Sequence, residues 1–240
     1  MRRFFYFLGN IACMILAFVG YSFLQVFYFF PKQIQKKLPL TNGSLLFVTV
    51  IVTIIILGLL FYLYSKQLQE DNDWEFNERP HWDGRRITIA LFGIVLAFIV
   101  SITLQAAVGL TNGKTSANQA ELNQISKQAG LSYLLMVCLV APICEEVIFR
   151  GMFFNLFDLI FDHETPVSKW LGIITAGFIF GYMHDPQITK AILVYWALGC
   201  VLSWVYIRTK DLRYSILTHI GYNSFPFLLL YLTSLLSLIK

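Results

Sequence analysis

Charge is what this chain has least of. Only 13% of its 240 residues are Asp, Glu, Lys or Arg, while 57% are hydrophobic; a soluble domain carries about 25% charged residues. The deficit is concentrated, because none of these four residue types occurs in 4–31, 43–65, 87–113, 128–144, 170–183, 191–207 or 220–239. Most of these windows reach or approach the ~20 residues that a helix needs to cross a bilayer. That excludes an ordinary soluble domain and predicts an all-α, polytopic transmembrane helical bundle. Cysteine is also sparse: Cys13, Cys138, Cys144 and Cys200 all fall in apolar windows, without metal-type spacing. They read as small hydrophobes and carry no information on redox compartment. No basic run is longer than a pair and the net charge is only +4, so nucleic acid is not an expected partner. No internal repeat is visible.

The windows place spans near 4–30, 44–65, 87–110, 131–160, 168–184, 188–208 and 212–239. The last is read as one kinked helix or two segments divided at Pro226, giving seven or eight spans in a single integral membrane domain, 1–240. The first window follows Arg2 and Arg3 but is too long for a signal-peptide apolar region and lacks a clear small-residue cleavage site, so a retained first span is expected. Three spans lie within 1–110. The polar stretches 66–86 and 111–130 read as surface loops. Trp74, Trp82 and Trp170 are expected at membrane–water interfaces. With the N-terminus cytoplasmic, the inside segments hold ten Lys and Arg residues against six outside, which favours that orientation.

Against this background a few polar groups stand out inside the spans: Glu145, Glu146, Arg150, His184, His219 and Asn223, with Asn155 and Asp158 further along. Ionisable groups at membrane depth are costly and normally face the protein interior or a hydrated cavity. Glu146 and Arg150 are four residues apart on one helix face, which allows a self-neutralising ion pair that pins two helices. Glu145 projects about 100° away from Glu146 and needs a partner from another helix. Phe180 lies one turn before His184 on the same face and can shield that ring; alone, His184 equally fits an interfacial histidine. His219 and Asn223 present an imidazole and a carboxamide to one region, and alone they equally fit a packing hydrogen bond. Burying all of these separately would cost several kcal/mol each. A single hydrated site explains them together. A carboxylate with a histidine can take a proton from water, and a histidine with an asparagine can donate to a developing oxyanion. With no serine or cysteine nucleophile implicated, the pattern points to a hydrolase using activated water.

The order E-E-x-x-x-R (Glu145, Glu146, Arg150), F-x-x-x-H (Phe180, His184) and H-x-x-x-N (His219, Asn223) resembles the CaaX protease and bacteriocin-processing family of intramembrane endopeptidases, also called the Abi family, which includes the eukaryotic Ras- and a-factor-converting protease. The resemblance covers the motifs from 145 to 223 and implies a family catalytic core over 125–226. It further implies a helical bundle whose site opens into a hydrophilic cavity. In this chain it would make Glu145 the base that activates water, assisted by His184. His219 and Asn223 would steady the tetrahedral intermediate, with Glu146, Arg150 and Phe180 orienting the site.

The implied function is a glutamic-type intramembrane endopeptidase acting on a membrane-presented peptide or protein, in the lipid bilayer and without a cofactor. The chain's size favours a bacterial plasma membrane, where peptide or bacteriocin maturation, or bacteriocin self-immunity, is the expected role. Glu145, His184 and His219 also form a familiar zinc ligand set, so a zinc-dependent form of the same protease stands as an alternative; no H-E-x-x-H helix accompanies it. A non-catalytic immunity or scaffold protein binding a peptide or membrane partner is the second class. A proton-coupled transporter is the third, and it predicts inverted repeats that the sequence lacks.

Overall fold

A computed structural model describes residues 2–110, 116–161 and 163–238 of the chain. Among the described residues there are helices and connecting segments but no strand. The long helices are α1 (Arg2–Phe29), α3 (Asn42–Glu70), α4 (Gly84–Ala107), α7 (Pro166–His184), α8 (Ile192–Thr209) and α9 (Leu212–Leu238). Between α1 and α3 a short α2 spans Pro31–Lys37, and α5 occupies Ala117–Ala129. The stretch Leu131–Ile160 forms one helical rod, α6. Two π-helical segments, Met136–Val140 and Val147–Met152, widen its turns on either side of Ala141–Glu146.

Several helix starts are written locally. Thr41, Asp83 and Ser116 each accept a backbone N–H of the first turn of α3, α4 and α5 through the side chain. Thr165 and Ser168 cap α7 reciprocally, with Pro166 at the first helical position, where its missing N–H costs nothing. Pro226 lies inside a continuous α9, so the last apolar region is one helix.

Among the described residues, five helices, α1, α3, α4, α6 and α8, are long and apolar enough to cross a membrane. They divide into two kinds. In α6 and α8, 56% and 61% of the apolar window is buried, against 22%, 17% and 22% in α1, α3 and α4. The core therefore runs along α6, through Met136, Cys144, Val147, Met152 and Phe154, and meets Leu24 of α1, Leu60 and Tyr64 of α3, Phe180 of α7 and Leu202 and Tyr206 of α8. The outer helices present Phe5, Ile15, Phe47, Ile54, Phe92 and Ile102 outward, a surface suited to lipid. α7 and α8 pack along most of their length, because Gly177 and Gly199 bring the backbones together.

The expected loop 66–86 is different. Residues 66–70 continue α3, and the chain then folds inward so that Trp74 and Phe76 are buried against Phe154. Trp74 is 1% exposed, so it is a core residue and not an interfacial one; Trp82 and Trp170 are exposed. Polar contacts knit this segment to several helix ends. Arg3 pairs with Asp71 at 3.2 Å and Asp73 at 2.6 Å, Trp74 Nε1 donates to Phe161 O at 3.1 Å, and Lys210 Nζ donates to Trp74 O at 2.9 Å. Lys210 also pairs with Glu164, and Arg86 with Asp211. Burial pushes the Lys210 ammonium below its ordinary value, with Glu164 acting in the opposite direction. In the other expected loop, 111–115 lies outside the described residues, while 117–129 is α5.

Candidate active site

α6 carries two adjacent carboxylates into different surroundings. Glu146 is fully buried, and its Oε1 lies 2.9 Å from Arg150 Nη1 and 2.9 Å from His219 Nδ1. Arg150, also fully buried, donates from Nη2 to Gly199 O at 3.2 Å and lies 4.6 Å over the Phe180 ring. The i,i+4 pair expected between Glu146 and Arg150 is present, and it holds α6 against α7, α8 and α9. Its satisfaction is incomplete: among the described residues Glu146 Oε2 and Arg150 Nε have no hydrogen-bond partner, and Arg150 Nη1 meets Glu146 as an ion pair outside hydrogen-bond geometry.

Glu145 faces the other way, onto the wall of a cavity of about 540 Å³. Its Oε1 accepts a 2.5 Å hydrogen bond from Tyr21 Oη of α1. Its Oε2 is left 4.0 Å from His184 Nε2 and 3.8 Å from His219 Nε2. Both distances exceed a direct hydrogen bond and suit a water shared between the groups.

The histidine protons follow from what the other ring nitrogen touches. His184 Nδ1 lies 2.8 Å from Phe180 O. A carbonyl only accepts, so Nδ1 carries the proton, and in the neutral ring Nε2 is left as an acceptor facing Glu145. The same logic puts a proton on His219 Nδ1, which faces the Glu146 carboxylate. Its Nε2 becomes a donor only on taking a second proton. Phe180 packs against both rings, with centroids at 4.3 Å from His184 and 5.8 Å from His219. Asn223 lines the cavity, but its Nδ2 already donates to Val137 O at 2.9 Å; one N–H and the carbonyl oxygen of its amide remain.

The structure thus brings Glu145, His184 and His219 to one cavity wall, sets Asn223 on that wall, and seats Glu146, Arg150 and Phe180 behind or beside them. Asn155 and Asp158 lie elsewhere: Asn155 donates to Gln67 at 3.3 Å, and Asp158 lies with Asp71 and Asp73. Two further neighbours carry no signal in the sequence. Tyr21 was hidden because Tyr6 and Tyr28 occupy the same apolar window, and nothing in the pattern separates the one phenol that meets Glu145. Tyr195 stacks on His184 at 5.0 Å, and its hydroxyl meets Ser116 at 2.8 Å and Asn118 at 3.3 Å, so it joins that histidine to the start of α5. The remaining cavity wall mixes aromatic and aliphatic side chains (Phe18, Phe29, Leu122) with amides (Gln25, Gln105, Gln119).

The zinc alternative is tested by donor spacing. Among the described residues, the only group of three or more His, Cys, Asp or Glu whose donor atoms all lie within 4.8 Å of one another is Asp71, Asp73 and Asp158. Glu145, His184 and His219 do not gather that closely, and a tetrahedral zinc with ligands at roughly 2.0–2.2 Å would require them to close in. One oxygen of Glu145 is also already committed to Tyr21. The donor set as arranged does not fit zinc.

Residues 127–225 match the family described as Rce1-like, the type II CAAX prenyl endopeptidases. Over 215 residues the chain is 28% identical to the membrane-embedded CAAX protease MroQ of Staphylococcus aureus, covering 82% of this chain and 81% of that protein. It is 29% identical over 146 residues to the putative membrane peptidase YdiL of Bacillus subtilis, covering 58% and 56% of the two chains. It is 27% identical over 136 residues to the UPF0177 protein YvdC of Lactococcus lactis, covering 56% and 49%. The chain thus spans about half the length of the last two relatives. No solved structure matches it. The family resemblance drawn from the three motifs is borne out, and the apolar helices together with these relatives mark an integral membrane protein.

Proposed function

We propose that this chain, related to the Rce1-like CAAX endopeptidases through residues 127–225, is an intramembrane glutamic-type endopeptidase that hydrolyses a peptide bond presented at the membrane. The observation that carries the reading is the meeting of Glu145 Oε2 with two imidazole nitrogens, at 3.8 and 4.0 Å, on the wall of a cavity. Tyr21 holds Oε1, so Oε2 is the oxygen available as a base. A water lying between Oε2 and His184 Nε2 gives up a proton as its oxygen attacks the scissile carbonyl carbon. His219, which takes a proton from solvent at Nε2 before the attack and keeps it, and the remaining N–H of Asn223 donate to the oxyanion that forms. Glu146 and Arg150 fix the His219 ring, and Phe180 packs beside both histidines. The proton then passes to the leaving amine as the C–N bond breaks.

Water activation without a metal is part of this proposal, and so are seven membrane crossings with a cytoplasmic N-terminus. α7 and α9 would be the two crossings beyond the five long apolar helices. Peptide or bacteriocin maturation in a bacterial plasma membrane is the role we favour, since the relatives named above are bacterial. Incubation of the purified protein with membrane peptides, with and without chelator, tests the reading. Cleavage that survives chelation and is lost in Glu145→Gln is the expected result. Chelator-sensitive cleavage would overturn the metal-free mechanism. Retained biological activity in Glu145→Gln would favour a non-catalytic immunity or scaffold role.

A further inference from the structure

Far from the cavity, at the end of the bundle where α1, α3 and α6 meet, three carboxylates share a small space. Donor oxygens of Asp71, Asp73 and Asp158 all lie within 4.8 Å of one another. Asp158 is fully buried, and among the described residues neither of its oxygens has a hydrogen-bond partner. The backbone amides of Asp73 and Trp74 face it but fall short of hydrogen-bond geometry. A buried carboxylate without a partner is costly, and here two like charges stand beside it.

Among the described residues, the one cation in ion-pair contact with the cluster is insufficient. Arg3 pairs with Asp71 at 3.2 Å and Asp73 at 2.6 Å, but three carboxylates against one guanidinium leave two negative charges. The helix ends add to the deficit. Asp71 caps the C-terminus of α3, and Asp158 sits in the last turn of α6. Helix C-termini carry partial negative charge, which disfavours carboxylates and favours cations.

We propose that Asp71, Asp73 and Asp158 form a binding site for one hard divalent cation, of the Mg²⁺, Mn²⁺ or Ca²⁺ class, which ties the ends of α1, α3 and α6 together. The donors are all oxygen, with no imidazole or thiolate among them, and such sets select hard cations. A charge of two brings the cluster to neutrality with the Arg3 pair kept. Access exists, because the Asp73 side chain is 45% exposed whereas that of Asp71 is 15%. The site is independent of the peptidase reading.

The test uses the full chain in detergent, stripped with EDTA and titrated with Mn²⁺ while free Mn²⁺ is followed by its paramagnetic resonance. Saturable uptake of one ion per chain is expected, displaced by Mg²⁺ or Ca²⁺ and accompanied by a rise in melting temperature. Asp158→Asn and Asp73→Asn should each weaken uptake by at least about tenfold, as removal of one charged ligand implies, while Glu121→Gln at the cavity leaves it unchanged. Two variants guard against misfolding of either. Absence of uptake by the unmodified chain would overturn the site, as would uptake unaffected by both Asp substitutions. A melting temperature in EDTA that Asp158→Asn raises, with no ion bound to the unmodified chain, would instead identify a neutral buried carboxyl and also overturn it.

Discussion

Glu145 and Glu146 are neighbours in the chain with opposite environments, and their substitution should have opposite consequences. Glu145 contacts a phenol and faces two imidazoles across a cavity, so its change should be felt in turnover. Tyr21→Phe removes the hydrogen bond that fixes Oε1. Loss of a bond to a charged group, worth about 1.5–3 kcal/mol, should lower kcat by roughly tenfold or more with KM little changed. A proportional rise in KM would mean that Tyr21 binds substrate instead. Glu146 and Arg150 are fully buried, so breaking that pair should be felt in stability. Arg150→Met is expected to cost about 3–5 kcal/mol, measured by unfolding in detergent, and a second change, Glu146→Gln, should recover part of it. Of these contacts, the Glu146–Arg150 proximity was legible in the sequence, because the two residues are one turn apart on a single helix, whereas the Tyr21 contact was not.

At the scale of elements, α6 carries the motif and its two π-helical segments set where the motif points. Within the wider turn over Val147–Met152, Arg150 stays paired with Glu146 and Phe149 reaches the cavity wall; such segments recur at functional sites. They leave no mark in hydropathy, so the sequence alone places a span here without showing where its turns widen. The α7–α8 contact depends on small residues, as helix contacts in membranes often do. A Cβ at Gly177 would lie 2.6 Å from Cys200 Sγ and 2.9 Å from two backbone atoms of α8. Backbone cannot swing aside, so Gly177→Ala should push α7, with His184 at its end, away from α8. About 1–3 kcal/mol of destabilisation and a parallel loss of turnover are expected, from thermal melts and cleavage assays. Full stability and activity in that variant would show that the helices can part without cost.

Across the whole molecule, the ends of α1, α3, α6 and α8 gather at one end through Arg3, Trp74 and Lys210. These are the same segments that carry the larger share of Lys and Arg. The proposed orientation therefore predicts that, in a background without the four native cysteines, Arg85→Cys in intact cells resists a membrane-impermeant maleimide while Lys36→Cys reacts. The reverse pattern would invert the topology.

What the sequence by itself determined was the helical, membrane-spanning character and the identity of the polar residues that needed a shared home. Charge deficit and one-turn spacing are local properties, and they survive in a linear reading. Only the tertiary structure decided the partners: Tyr21 against Glu145 across 124 positions, His219 against Glu146 across 73, Trp74 and Phe76 drawn into the core, and Asp158 set beside Asp71 and Asp73. The physical reason is that lipid and protein interior are both apolar. A hydrophobic span looks the same whether its faces meet neighbours or lipid, so pairing between helices is fixed by packing and not by hydropathy.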